Sequence, residues 1–252
     1  VGYVSDSKLT VRKEVWRELR KVAKPDSRFH WDFSSFIPDF EGSEKCTEKL
    51  RGMKAYRKAK LLFITPDNCL ENLREACIRD RKSYVMPTYG IVRGFLLMRP
   101  EDVPSGEEAF SATLDGADKF AKPVSMRQLK RFKGVDMMVT GCAAVDSKGA
   151  RMGKGHGYFD MEWGMFRELG LVNDTTPVIC VCHDCQVLLD EDVPVTEWDS
   201  IADWVITPTK TIRVKTSYRK PLELAWHLVD ETTLRRIPSL QELKEMKEKG
   251  EI

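Results

Sequence analysis

Apolar residues first recur at helical spacing over residues 7 to 24, where Leu9, Val15, Trp16, Leu19 and Val22 form one stripe. Ser7 stands where a helix cap belongs, and Lys24-Pro25-Asp26-Ser27 supplies the stop. An irregular aromatic stretch follows from Phe29 to Phe40, and a short helix is expected from Ser43. Leu61-Leu62-Phe63-Ile64 is a continuous apolar run between turn signals, the signature of a strand covered on both faces. Asn68 to Arg81 then reads as a helix, and Tyr84-Val85-Met86 and Gly94 to Met98 as strands.

Residues 99–133 carry Pro100, Pro104, Gly106, Gly116 and Pro123 and little periodicity, so they are expected to form a surface excursion. Val135 to Thr140, Val178 to Cys182 and Trp204 to Ile206 are further strands. Tyr158 to Leu169 is a helix, and Ser239 to Lys249 a charged helical tail. No internal repeat interrupts this order. Alternating strands and helices predict one α/β domain over residues 1–252: a three-layer open sheet, mostly parallel or mixed and Rossmann-like.

Composition narrows the functional classes. The chain has 252 residues, 42% hydrophobic and 32% charged, which suits a folded soluble domain. Its net charge of +2 gives no whole-protein attraction for nucleic acid or anionic membrane, so neither is an expected partner. The longest apolar runs, such as Val178 to Cys182, fall far short of the roughly 18 residues of a spanning helix. The chain opens on Val1 without an apolar signal-peptide core. Seven cysteines, an odd number in a long chain, fit reduced thiols and a cytoplasmic location.

The strongest chemical signal is Arg151-Met152-Gly153-Lys154-Gly155-His156-Gly157-Tyr158-Phe159-Asp160. Three glycines alternate with cations after an expected strand and before an expected helix, which places the loop at the carboxyl edge of the sheet. Glycines let backbone N–H groups approach a phosphate, and the helix N-terminus adds partial positive charge. Arg151, Lys154 and His156 add charge-assisted donors. Asp160 stands where a Mg²⁺ accompanying a nucleotide takes an oxygen ligand. The glycine spacing matches neither a Walker A loop nor a dinucleotide fingerprint, and the plain alternative is a solvated turn. Lys8 and Arg12, four apart, share one helix face, and Arg20 continues near it; a solvated basic stripe is the alternative. Glu197, Asp199 and Asp203 cluster before a C-terminal strand, where one of them can join Asp160 at a metal.

Together these pieces resemble the 5-formyltetrahydrofolate cyclo-ligase family. The family's Arg-Leu-Gly-x-Gly-x-Gly-Tyr-Tyr-Asp is similar to RMGKGHGYFD here. Gly141 to Asp146 followed by Gly149, the Lys8/Arg12 pair, and Gln186…Val193-Pro194…Asp199…Asp203…Thr207 follow the family order. The resemblance implies ATP phosphates on Lys8, Arg12, Arg151 and the loop Gly153, Lys154, Gly155, His156, Gly157, Tyr158 and Phe159, with Arg151 and Lys154 at the reacting group. It implies Mg²⁺ on Asp160 and Asp199, and a folate beside Tyr158. In the family, ATP phosphorylates the formyl oxygen of 5-formyltetrahydrofolate; N10 then attacks, phosphate leaves, and 5,10-methenyltetrahydrofolate forms.

Departures from the family pattern matter. The family's folate-contacting Glu after the first sheet strand is absent, leaving Asp67 or Glu71 as its substitute. Phe159 replaces the second loop tyrosine. Pro-Asp-Asn-Cys-Leu-Glu and Phe-Ile-Pro-Asp-Phe look like a divergent cyclo-ligase-like branch. That branch has been suggested to use ATP on another heterocycle, in thiamine metabolism. A regulatory nucleotide-binding module without turnover is a third reading.

Cys180, Cys182, His183 and Cys185 invite a metal, but Cys180 and Cys182 alternate in an apolar strand and read as core. His183, at a strand's carboxyl end, is expected to face substrate. Cys142 follows a strand without an obvious base and reads as packing rather than a nucleophile. Phe29, Trp31, Phe33, Phe36 and Phe40 either stack on a flat ring or cover a sheet edge. The basic run from Arg127 to Lys133 reads as solvated.

Overall fold

A computed structural model describes residues 6–189 and 192–252, with side chains from Lys8 onward; the first helix already begins at Asp6, so Ser7 lies inside it and not at the expected cap position. Eleven strands occur among these residues: β1 (Leu61–Ile64), β2 (Ser83–Pro87), β3 (Phe95–Met98), β4 (Lys122–Val124), β5 (Met137–Thr140), β6 (Ala144–Asp146), β7 (Arg151–Met152), β8 (Val178–Val181), β9 (Val187–Leu188), β10 (Trp204–Ile206) and β11 (Thr211–Arg213). The helices are α1 (Asp6–Leu19), α2 (Ser43–Gly52), α3 (Lys54–Lys58), α4 (Glu71–Arg79), α5 (Glu108–Ser111), α6 (Leu114–Phe120), α7 (Met126–Leu129), α8 (Tyr158–Glu168), α9 (Glu231–Arg236) and α10 (Pro238–Glu248).

Eight strands form one sheet in the order β11-β10-β8-β5-β1-β2-β3-β4. The five from β10 to β2 run parallel; β11 pairs antiparallel at one edge, and β3 and β4 antiparallel at the other. Helices cover both faces, so the central strands are apolar on both sides. Alternate residues divide the core. Leu62, Ile64, Met137 and Val139 pack with Leu50 of α2 and Leu73 of α4. Phe63, Met138 and Val178 pack with Trp163 and Phe166 of α8 and Leu243 of α10. The fold is the expected three-layer α/β arrangement.

A second sheet, β7-β6-β9, stands beside the first. Val11 and Val15 of α1 pack on its Ala144 and Met152, which fixes the first helix against the strand that carries Arg151. No helix among the described residues is long and apolar enough to cross a membrane.

Helix α1 stops at Leu19, short of the expected residue 24. The chain turns there because Lys24 N–H donates to Asp39 O (2.8 Å) and Glu41 N–H to Val22 O (3.0 Å), pulling residues 22–24 out to pair with 39–41. Residues 99–133 are more than an excursion. They supply the edge strand β4, and Met126 and Leu129 of α7 are fully buried beneath α10. Strands of two or three residues, such as β7 and β9, are too short to show a period.

Candidate active site

The carboxyl ends of β1, β2 and β5 meet the β7–α8 loop around one cleft of about 980 Å³. Open α/β sheets place ligands at these ends. Thr65 to Asp67 enter after β1, Thr88 to Gly90 after β2, Thr140 and Gly141 after β5, and residues 151–162 from the loop and α8. Gly157 caps α8 with φ +66°, a left-handed conformation that favours glycine.

Lys8, Arg12, Arg151 and Lys154 line one wall of the cleft, where α1 meets the glycine loop. Arg12 is 4% exposed, and its Nε donates to Gly153 O at 2.7 Å. Arg151 Nη2 donates to Ser200 Oγ (3.0 Å) and to Asp160 Oδ1 (3.2 Å), and its guanidinium lies 4.3 Å above the Phe159 ring. Phe159 thus braces the arginine through its face, a role that needs no second hydroxyl. Arg12 Nη1 and Arg151 Nε are buried without a hydrogen-bond partner. Buried donors of this kind are costly to leave unmade, so two orphan guanidinium N–H groups beside a glycine loop fit an anionic ligand.

Lys154 Nζ donates to Ser35 O at 3.3 Å and lies 4.9 Å from the Tyr89 ring centroid. Burial pulls its ammonium below the ordinary lysine range, against the opposing pull of Asp67 and Glu162. His156 stacks on Tyr158 at 5.2 Å and 7°. Burial lowers its pKa, and the charges of Lys154, Arg236 and Arg12 lower it further, which favours the neutral ring.

The acids divide by partner. Asp160 Oδ1 accepts from Ser200 N–H (2.9 Å) and Ser200 Oγ–H (2.6 Å) as well as from Arg151. Asp199 Oδ2 accepts from Lys8 Nζ (2.9 Å) and Thr196 N–H (2.7 Å). Each carboxylate has its second oxygen outside these bonds, and hard oxygen ligands of this kind suit Mg²⁺. The two expected metal ligands are therefore both in the cleft, each already beside a cation. Glu197 also lines the cleft, whereas Asp203 accepts from Val178 N–H (2.7 Å) and Lys220 Nζ (2.5 Å) and ties down the start of β8.

Among the substrate candidates, Asp67 and Tyr158 line the cleft, and Glu71 and His183 do not. Asp67 Oδ2 accepts from Thr65 Oγ1–H (2.6 Å) and Gly141 N–H (2.8 Å), bridging the ends of β1 and β5. Glu71 opens α4 on the protein surface. His183 Nδ1 accepts Cys185 N–H at 3.2 Å, and its ring meets the edge of Phe40, so it serves a turn rather than a substrate. Phe29, Phe33 and Phe36 pack around Leu19 of α1 rather than opening onto the cleft.

All seven cysteines are free. Cys142, Cys180 and Cys182 bring their sulfurs within 4.8 Å of one another in an apolar pocket with Val145, Ala202 and Val205. His183 and Cys185 stand apart from this trio, and packing accounts for it.

Two parts of the cleft had no sequence signal strong enough to single them out. Glu162, on α8, is 2% exposed and lines the cleft. Burial, then the nearby Asp67 charge, push its carboxyl well above the ordinary range, against Arg151 and Lys154. The only trace in the sequence is a charge set between Met161 and Trp163 in an apolar helix. The second part is residues 223–230, a strap closing one side of the cleft. It is held down by Trp163 Nε1–H to Pro221 O (2.8 Å) and by Trp226 Nε1–H to Glu168 Oε1 (2.7 Å). Gly164 makes the approach possible, because a Cβ there would lie 2.7 Å from Leu224 Cα.

The model of the 5-formyltetrahydrofolate cyclo-ligase family matches residues 4–208. The methenyltetrahydrofolate synthase domain-containing protein of Danio rerio is 29% identical over 97% of this chain and 63% of its own length. The chain thus spans less than two thirds of that relative. Escherichia coli (strain K12) 5-formyltetrahydrofolate cyclo-ligase is 30% identical over 34% of this chain and 44% of its own length. The solved structure of Aquifex aeolicus 5,10-methenyltetrahydrofolate synthetase shares the fold, with a TM-score of 0.51 and 21% identity over 88% of this chain and 98% of that one.

Proposed function

The chain belongs to the 5-formyltetrahydrofolate cyclo-ligase family, and from that premise we propose that the cleft performs an ATP- and Mg²⁺-dependent cyclisation of 5-formyltetrahydrofolate to 5,10-methenyltetrahydrofolate. The observation that carries the reading is the pair of buried, unpartnered guanidinium donors, Arg12 Nη1 and Arg151 Nε, beside the loop of residues 153–157. Phosphoryl transfer asks a protein for position and charge neutralisation more than for an activated nucleophile.

In this reading Lys8, Arg12, Lys154 and the loop N–H groups hold the phosphates, and Arg151 neutralises charge at the transferred group. The phosphoryl group passes to the formyl oxygen as ADP leaves; N10 attacks the formyl carbon and gives up its proton to solvent, and the C–O bond breaks as phosphate departs. Asp160 and Asp199 would hold Mg²⁺ through their remaining oxygens, where it would supply further neutralisation of phosphate charge. Ser200 and Asp160 hold the Arg151 guanidinium from one side and Phe159 from its face, so it needs little reorganisation when charge develops. Residues 223–230 line the same space from another side.

The test is absorbance of methenyltetrahydrofolate on mixing protein with 5-formyltetrahydrofolate, ATP and Mg²⁺. Product that requires ATP supports the reading, and no product contradicts it. A second reading is favoured by the uneven similarity, which covers 97% of the chain for the domain-containing relative and 34% for the bacterial cyclo-ligase. It keeps the ATP half and places another heterocycle in the remaining space. ATP binding without cyclisation, with phosphate released on a different heterocycle, distinguishes it.

A further inference from the structure

Glu162 stands out among the cleft acids because its carboxyl is buried and one of its oxygens, Oε2, has no hydrogen-bond partner. Its side chain is 2% exposed and lines the cleft. Of the other acids lining the cleft, Glu197 and Glu223 are exposed to solvent, and Asp67 is engaged by Thr65 and Gly141, Asp160 by Ser200 and Arg151, Asp199 by Lys8 and Thr196. A buried carboxyl oxygen without a partner is costly, and the apolar helix around it would accept methionine or leucine.

Helix geometry says where this group acts. Glu162 follows Tyr158 by four residues, so both lie on one face of α8, one turn apart. Tyr158 carries the His156 ring stacked on it. Asp67, the other substrate candidate in the cleft, exerts the largest charge effect on Glu162, so Tyr158, Asp67 and Glu162 belong to one part of the cleft. Asp160 is two residues away, a spacing that turns it toward a different side of the helix. Among the described residues, moreover, no three carboxylate, histidine or cysteine ligand atoms gather around Glu162.

We propose that Glu162 is the specificity-determining residue of the substrate half of the cleft, accepting a hydrogen bond from an amino-substituted nitrogen heterocycle. The ligand class is set by the acceptor: an exocyclic amino group at the edge of a planar ring. This rests on the reading of the cleft as an ATP-dependent site for such a ring, and it names the group that recognises the ring's edge.

The experiment compares pterin with its 2-dimethylamino analogue, which lacks the amino donors. Both are titrated into wild-type protein, Glu162→Met and Glu162→Leu. Wild type is expected to bind pterin at least about tenfold more tightly than the analogue. Glu162→Met is expected to bring that ratio near one, a change in selectivity that a general loss of affinity would not produce. If Glu162→Met does not fold, Glu162→Leu decides, because it too removes both oxygens and must lower the ratio. An unchanged ratio in the folded variants, or a wild type that does not distinguish the two ligands, overturns the proposal. Cyclisation by the wild type is measured separately. Discrimination by Glu162 without cyclisation removes the cyclo-ligase reading and keeps this one; cyclisation with an unchanged ratio does the reverse.

Discussion

The two sides of the cleft are built in opposite ways. The basic side is a contiguous loop joined by one helix face, and its side chains brace one another: Arg151 on Asp160, Ser200 and Phe159, and Arg12 on Gly153. The opposite side is gathered from three distant segments, Asp67 after β1, Glu162 within α8, and the strap at 223–230. An anion needs many donors converging on one place, which a short loop can provide. A planar substrate needs shape and one or two directed contacts, which distant segments can provide and vary independently. The basic side can then stay constant while the other sets what is bound.

The comparison breaks most visibly at Arg151. Arg151→Ala is expected to lower turnover by about 100-fold or more. Circular dichroism should show the fold retained. Turnover near wild type would remove the basic side from the chemistry.

A smaller effect is expected at Gly164. Gly164→Ala drives a Cβ into the Leu224 backbone and moves the strap, at a cost of about 1–3 kcal/mol. The expected signature is a lower Tm and a raised KM for the substrate with ATP affinity little changed. An equal loss for both ligands would mean the two sides are not separable.

The pH dependence of nucleotide binding sharpens the basic side further. Burial depresses the Lys154 ammonium, and a bound phosphate favours its charged form. Affinity is therefore full below the pKa of free Lys154 and falls as pH rises through it, at a pH below that of an ordinary lysine. Lys154→Arg stays charged, so titration of nucleotide affinity against pH should lose this alkaline fall. An identical profile in the variant would contradict the assignment.

The smallest effect is on stability. Glu162→Met replaces a buried carboxyl with one unpartnered oxygen by an apolar side chain of similar length. Thermal melting is expected to shift upward by a few degrees, about what 1 kcal/mol gives in a chain this size. A fall in Tm would show that Glu162 is a structural contact instead.

The contrast between the two sides also explains what was legible in the sequence. Leu61–Ile64 and Val178–Val181 are continuous apolar runs, so the buried parallel centre was plain. The loop at 151–160 showed its chemistry because glycines, cations and the acid are adjacent. Glu71 and His183 sat at plausible places by element order, yet one lies on the surface and the other serves a turn. Order along a strand or helix does not say which side chain turns inward. Glu162 and the strap were hidden for the same reason: their meaning comes from Tyr158, Asp67 and Leu224 meeting in space. The early end of α1 depended on pairing with residues 39–41, which no local pattern records.

The most direct test of the basic side is titration of a non-hydrolysable ATP analogue with Mg²⁺ into wild type and Arg12→Met. Arg12 has one donor on Gly153 O and a second, buried one without a partner. Nucleotide affinity is predicted to fall at least about tenfold in the variant, as for loss of a charge-assisted hydrogen bond. Equal affinity in the two proteins would contradict the placement of phosphates between α1 and the glycine loop.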